Sequence, residues 1–149
     1  MVTTIGTEDK LDDLLQDLSR LDHDAAEAYQ AAIDRLENAS YRTTLASFKQ
    51  DHLRHTQELG DCLTSLGKTP PKEGDMKGML TKGKVVLGGL VGDKAILQAM
   101  KTNEDDTNTA YERAVKHKDT TPQIQTVLER ALGDERRHRE WMVETIDRM

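Results

Sequence analysis

The chain is poor in residues that staple, break or stiffen a fold. Cys62 is its one cysteine, so no disulfide can form within it and an oxidising compartment is not implied. Proline occurs three times, at Pro70, Pro71 and Pro122, which leaves long stretches free to be helical. Aromatic residues make up 3% and charged residues 32%, a balance that suits long amphipathic helices better than a sheet sandwich. No apolar run approaches the roughly 20 residues of a membrane span, and Met1 to Lys10 lacks the basic and then apolar pattern of a secretory leader. Basic residues are outnumbered, 21 Lys and Arg against 27 Asp and Glu, for a net charge of −6. That balance argues against nucleic acid as a partner and suits attraction of cations. A soluble cytoplasmic protein without membrane or nucleic-acid partners is the expectation.

What is there is helical periodicity. A single domain over residues 1–149 is expected, long enough to bury a substantial core. Four amphipathic segments run from about Glu8 to Asn38, Tyr41 to Leu66, Asp93 to Lys118 and Pro122 to Arg148. Ser40 can cap the second, Asp93 follows Gly92 at the third, and Thr121-Pro122 reads as N-cap and N1 of the fourth. Between the two hairpins, Gly67 to Asp75 forms a polar linker. Met76 to Val91 is apolar on one side, through Met76, Met79, Leu80, Leu87, Leu90 and Val91. It reads as a short helix within a long crossover covering one flank of the core.

The most informative pattern is a repeat. Gln50-Asp51-His52-Leu53-Arg54-His55 aligns with Gly133-Asp134-Glu135-Arg136-Arg137-His138, giving His-x-x-His in one and Glu-x-x-His in the other. Upstream, Asp22 precedes Tyr29 by seven residues and Glu104 precedes Tyr111 by seven. The core stripe of the second segment runs Leu45, Phe48, His52, His55, Leu59, Cys62, and that of the fourth runs Ile124, Leu128, Ala131, Glu135, His138, Met142. Asp22 and Glu104 fall on the stripes of the first and third. Six titratable side chains thus occupy core positions near mid-helix, so they share one central layer. Burying them unpaired is prohibitive. A bound cation, shared protons or water must compensate. Imidazole with carboxylate is a ligand set for iron, manganese or zinc, and an i, i+3 spacing lets one helix supply two ligands. Asp22, His52, His55, Glu104, Glu135 and His138 are the candidate metal ligands.

This arrangement resembles the ferritin-like superfamily, including rubrerythrin-type and di-iron hydroxylase bundles, where each hairpin gives one lone Glu and one Glu-x-x-His. The stretch Gly74 to Val115, with Asn103-Glu104-Asp105-Asp106 and Ala110-Tyr111, looks more narrowly like a bacterial, stress-associated branch described as a domain of unknown function. The resemblance implies an antiparallel four-helix bundle of two hairpins joined by a long crossover, with one or two transition ions in its core. His52 stands where that superfamily has a glutamate, and Asp22 where it usually has one. Three carboxylates would then face the +4 of two divalent ions, and a neutral imidazole that keeps its ring proton cannot bridge them. A single ion or an unequal pair follows.

Around these six, Glu27, Asp51, Asp106 and Asp134 fall off the stripes and are expected in solvent. His23 is expected at the surface, and His117 near a helix C-terminus where the dipole favours it. Tyr29 and Tyr111 are expected to bond a facing helix through their hydroxyls. Cys62 reads as a small buried hydrophobe, and Trp141 as closing the bundle end or a homodimer contact. The functional readings are a metal-dependent oxidoreductase or metal-handling protein, and a non-enzymatic stress or interaction bundle with an ion-free polar layer. An iron-storing shell is a third.

Overall fold

A computed structural model describes residues 3–72 and 87–149. Four helices carry the fold: α1 (Leu11–Arg35), α2 (Ala39–Ser65), α3 (Asp93–Ala114) and α4 (Pro122–Asp147). No strand occurs among the described residues, and the molecule is an all-α four-helix bundle. Among the described residues no helix is long and apolar enough to cross a membrane.

Local chemistry sets the helix ends. Asn38 rather than Ser40 caps α2, its side chain accepting from the backbone N–H of Ser40 (2.9 Å) and Tyr41 (3.2 Å). Thr121 caps α4 with Pro122 in its first turn, as the sequence predicts. The end of α2 is a Schellman motif: Gly67 takes φ +75°, its N–H reaches the Thr64 carbonyl at 3.0 Å, and the Lys68 N–H reaches Leu63 at 2.9 Å. The first helix begins at Leu11, later than Glu8, and α3 stops at Ala114, short of Lys118.

Two apolar layers fix how the helices run. At one end Leu14 and Leu18 of α1 pack with Leu59 and Leu63 of α2, Tyr111 and Ala114 of α3, and Ile124 and Leu128 of α4. At the other end Ala32 and Leu36 meet Leu45 and Phe48, Leu97 and Met100, and Met142. Thus α1 is antiparallel to α2 and α3, and α4 is antiparallel to both of those. Hence α2 finishes at the first end and α3 starts at the second, at opposite ends of the bundle. Asp93, at the start of α3, accepts the N–H groups of Glu37 (2.8 Å) and Asn38 (3.0 Å) in the α1–α2 turn. The expected crossover helix through Met76, Met79 and Leu80 lies, as far as Val86, outside the described residues. Of its expected apolar face, Leu87 is buried in the second layer, whereas Val91 is 91% exposed.

Each fully buried leucine of these layers contributes about 1.5–3 kcal/mol. They hold the bundle closed around a third layer that is not apolar. Asp22, His52, His55, Glu104, Glu135 and His138 lie between the two clusters, all buried.

Candidate metal centre

All four helices deliver side chains to this middle layer: Asp22 from α1, His52 and His55 from α2, Glu104 from α3, Glu135 and His138 from α4. The i, i+3 spacing on α2 and α4 turns both members of each pair inward. The six form two overlapping sets. Asp22, His52, His55 and Glu135 offer donor atoms within 4.8 Å of one another, and so do His52, Glu104, Glu135 and His138. Each set has two nitrogens and two oxygens, and His52 and Glu135 belong to both.

In the first set, Asp22 Oδ1 accepts from His52 Nδ1 (2.7 Å) and His55 Nδ1 (3.1 Å). Glu135 Oε1 lies 3.4 Å from His52 Nδ1 and 3.3 Å from His55 Nδ1. In the second set, Glu104 Oε1 lies 3.5 Å from both His52 Nε2 and His138 Nδ1. Three buried atoms of the layer, His52 Nε2, His138 Nδ1 and Glu135 Oε1, have no hydrogen-bond partner. Buried polar groups are rarely left so. Ions held in the two sets would supply the missing partners.

The residues around the layer cross from one hairpin to the other. Tyr29 of α1 donates to Glu104, and Tyr111 of α3 donates to Asp22, so both hydroxyls bond a facing helix as expected. Asp51 of α2 accepts from His138 Nε2 on α4 (2.7 Å), while Asp134 of α4 accepts from His55 Nε2 on α2 (2.9 Å). Arg137 and Arg54 follow the same exchange, the first donating to Asp51 at 2.7 Å and the second to Asp134. The expectation that Asp51 and Asp134 lie in solvent is therefore wrong. Their side chains are only 14% and 16% exposed, because each reaches across the α2–α4 seam to the other helix's histidine. A signal for them was present: Asp-x-x-Arg-His recurs as Asp51 to His55 and Asp134 to His138.

Three contacts break the two-fold pattern. Phe48 stacks on His138 with ring centroids 4.2 Å apart. The Thr107 hydroxyl sits 2.8 Å from Glu135 Oε2 and 3.1 Å from Glu104 Oε2. Asn108 Nδ2 donates to the backbone carbonyls of Glu104 (2.7 Å) and Glu135 (3.0 Å), tying α3 to α4 beside the layer. Behind Thr107, a cavity of about 80 Å³ between α1 and α3 is lined by Leu21, Asp24, Ala25, Ala28, Asn103 and Asp106. It has room only for small molecules such as water.

The electrostatics are those of a paired layer. Burial would raise the Asp22 carboxyl, but the charge of His55 and hydrogen bonds from His52 and His55 hold it at about 2. Burial acts on Glu104 likewise and is outweighed by His138 and His52, which hold it well below the usual carboxylate range. The imidazoles move oppositely. Burial alone would lower them, yet Asp22 and Asp134 push His55 up to about 12, and Asp51 with Glu104 brings His138 to about 9. His52 is raised well above its ordinary value, against burial, by Glu135 and Asp22. Burial first, then Glu104 and Asp22, raise Tyr29 and Tyr111. Without an ion, the lowered carboxyls of Asp22, Asp51, Glu104 and Asp134 thus face the three raised imidazoles of His52, His55 and His138.

The remaining candidates stand apart from both donor sets. His23, Glu27 and Asp106 are half-buried, and His117 contacts the Glu8 carbonyl at 3.0 Å near the end of α3. Cys62 is buried, as expected. Trp141 packs edge-on against Phe48 and Tyr41 at the second apolar layer.

A family model described as a domain of unknown function (DUF2383) matches residues 10–118. The match spans α1, α2 and α3, and with them Asp22, His52, His55 and Glu104. No curated protein and no solved structure matches the chain.

Proposed function

The chain belongs to the DUF2383 family, and we propose that it is a metal-binding four-helix bundle holding one or two transition ions, iron, zinc or manganese, in its central layer. One observation carries this reading: two overlapping buried sets of two nitrogens and two oxygens, with unpartnered His52 Nε2, His138 Nδ1 and Glu135 Oε1 among them. Mixed imidazole and carboxylate donors suit these ions. The arrangement of the helices, two hairpins with α2 ending and α3 beginning at opposite ends of the bundle, supports placing the protein in the ferritin-like superfamily. Iron held there would bring dioxygen or peroxide chemistry, which ties the reading to oxidative stress.

Histidines that ligate metals usually donate their other ring N–H to a carboxylate or carbonyl. Asp134 on His55 and Asp51 on His138 meet that requirement, fixing the proton on Nε2 and leaving Nδ1 for the ion. Asp51→Asn and Asp134→Asn are each expected to weaken zinc binding about 10- to 100-fold, read by competition with a chromophoric chelator. Unchanged affinity in both would remove the outer aspartates from the site.

The direct test is elemental analysis of protein made without a polyhistidine tag in medium supplied with iron, zinc and manganese. Stoichiometric metal that survives gel filtration is the expected result. A chain that carries none, and takes none up after chelation and reloading, leaves the second reading: an ion-free polar layer that fixes helix register. The hydrogen-bonded pairing of Asp22, Asp134 and Asp51 with His52, His55 and His138 favours that alternative.

A further inference from the structure

Among the three imidazoles of the layer, His52 is the odd one. His55 and His138 each keep Nε2 on an outer aspartate, at 2.9 Å and 2.7 Å. His52 has no such partner. Its Nδ1 lies 2.7 Å from Asp22 Oδ1 and 3.4 Å from Glu135 Oε1, and its Nε2 lies 3.5 Å from Glu104 Oε1 without a hydrogen bond. One ring nitrogen therefore looks into each donor set. Glu135 is divided in the same way, with Oε1 3.3 Å from His55 Nδ1 and Oε2 3.8 Å from His138 Nδ1.

We propose that the centre holds two divalent ions, one beside Asp22 and His55 and the other beside Glu104 and His138, joined by His52 through its two ring nitrogens and by Glu135 through its two oxygens. This rests on the metal-binding reading above and specifies its stoichiometry and bridge. The sequence repeat supports it. His52 and Glu135 occupy the same position of the two aligned segments, one after Asp51 and the other after Asp134. The terminal ligands are likewise repeat pairs, Asp22 with Glu104 and His55 with His138. Charge supports it too. Asp22, Glu104 and Glu135 supply −3 against +4. A ring bound through both nitrogens gives up its last N–H proton to solvent and becomes the missing fourth anion.

Chelated full-length protein is titrated with Zn²⁺ by calorimetry and with Cu²⁺ under electron paramagnetic resonance. Two Zn²⁺ per chain are expected, and the Cu²⁺ signal should lose integrated intensity as the second equivalent couples to the first. His52→Gln should abolish that coupling and weaken both ions at least about tenfold, while Asp22→Asn and Glu104→Gln should each weaken one ion. Circular dichroism confirms that each variant is folded, and the wild-type coupling tests the bridge without any variant. A single ion per chain overturns the two-ion centre and leaves metal binding standing. Two ions that stay magnetically independent overturn the bridge. No uptake of either ion overturns both readings.

Discussion

Asp22→Ala is expected to lower the melting temperature of the metal-free protein by roughly 6 to 20 °C. Asp22 is fully buried and accepts from His52 Nδ1, His55 Nδ1 and Tyr111 Oη. Removing it leaves two protonated rings and a hydroxyl in the core without their acceptor. Breaking a buried pair from one side costs about 3–5 kcal/mol, and about 1 kcal/mol moves the melting temperature of a chain this size by roughly 2–4 °C. Asp22→Asn keeps the shape and one acceptor oxygen but not the charge, so it should fall between wild type and Asp22→Ala. Thermal unfolding by circular dichroism in the presence of chelator measures all three. Wild-type melting in Asp22→Ala would mean that the layer is not held by this carboxylate.

The second large effect is the loss of an alkaline pH dependence on metal loading. His138, held at about 9 in the folded chain against an ordinary 6.5, favours the protonated folded state. Its contribution is complete below about pH 6.5 and is lost as pH rises through about 9. Each pH unit of that gap is worth about 1.4 kcal/mol, so His138 alone accounts for on the order of 3 kcal/mol. His55 behaves in the same sense but lets go only near 12. Asp22 works from the acid side: its contribution is present above its ordinary 3.8 and lost as pH falls through about 2. The metal-free protein should therefore be most stable between about pH 4 and 6.5 and weaken on the alkaline side. With an ion bound the metal takes the place of the imidazole protons. Affinity then rises about tenfold per pH unit for each proton displaced, and the stability gained from saturating metal grows as the metal-free contribution falls. Urea unfolding between about pH 6.5 and 9 should therefore show stability falling with chelator and holding level with saturating zinc. Parallel slopes would show that protons and metal do not compete for these rings.

Much of the site was readable from spacing. Asp22, His52, His55, Glu104, Glu135 and His138 each fall where a leucine would keep the stripe continuous, and mid-helix position places them at one height. Helix periodicity specifies face and height together, which is enough to gather side chains into one layer of a bundle. It does not specify which helix stands opposite which. Asp51 and Asp134 lie off the stripe by their own helix's geometry, yet they are covered because the α2–α4 seam closes over them. Their partners are the histidines of the opposite hairpin rather than His55 and His138 one turn along on their own helices. The same holds for Tyr29 and Tyr111, which bond the other hairpin's carboxylate. Helix ends were less legible. Asn38 displaced Ser40 as the cap of α2 because its longer side chain reaches two N–H groups from a position one residue before the helix.

By itself the amino-acid order determined four helices, two hairpins and six polar groups turned into the core, since all of these follow from interactions within a few residues along the chain. Only the tertiary structure decided that the layer divides into two donor sets sharing His52 and Glu135, and that each outer aspartate crosses to the other hairpin. Those outcomes depend on the separation and rotation of helices far apart in the chain, which the packing of Leu14, Phe48, Leu128 and their neighbours sets.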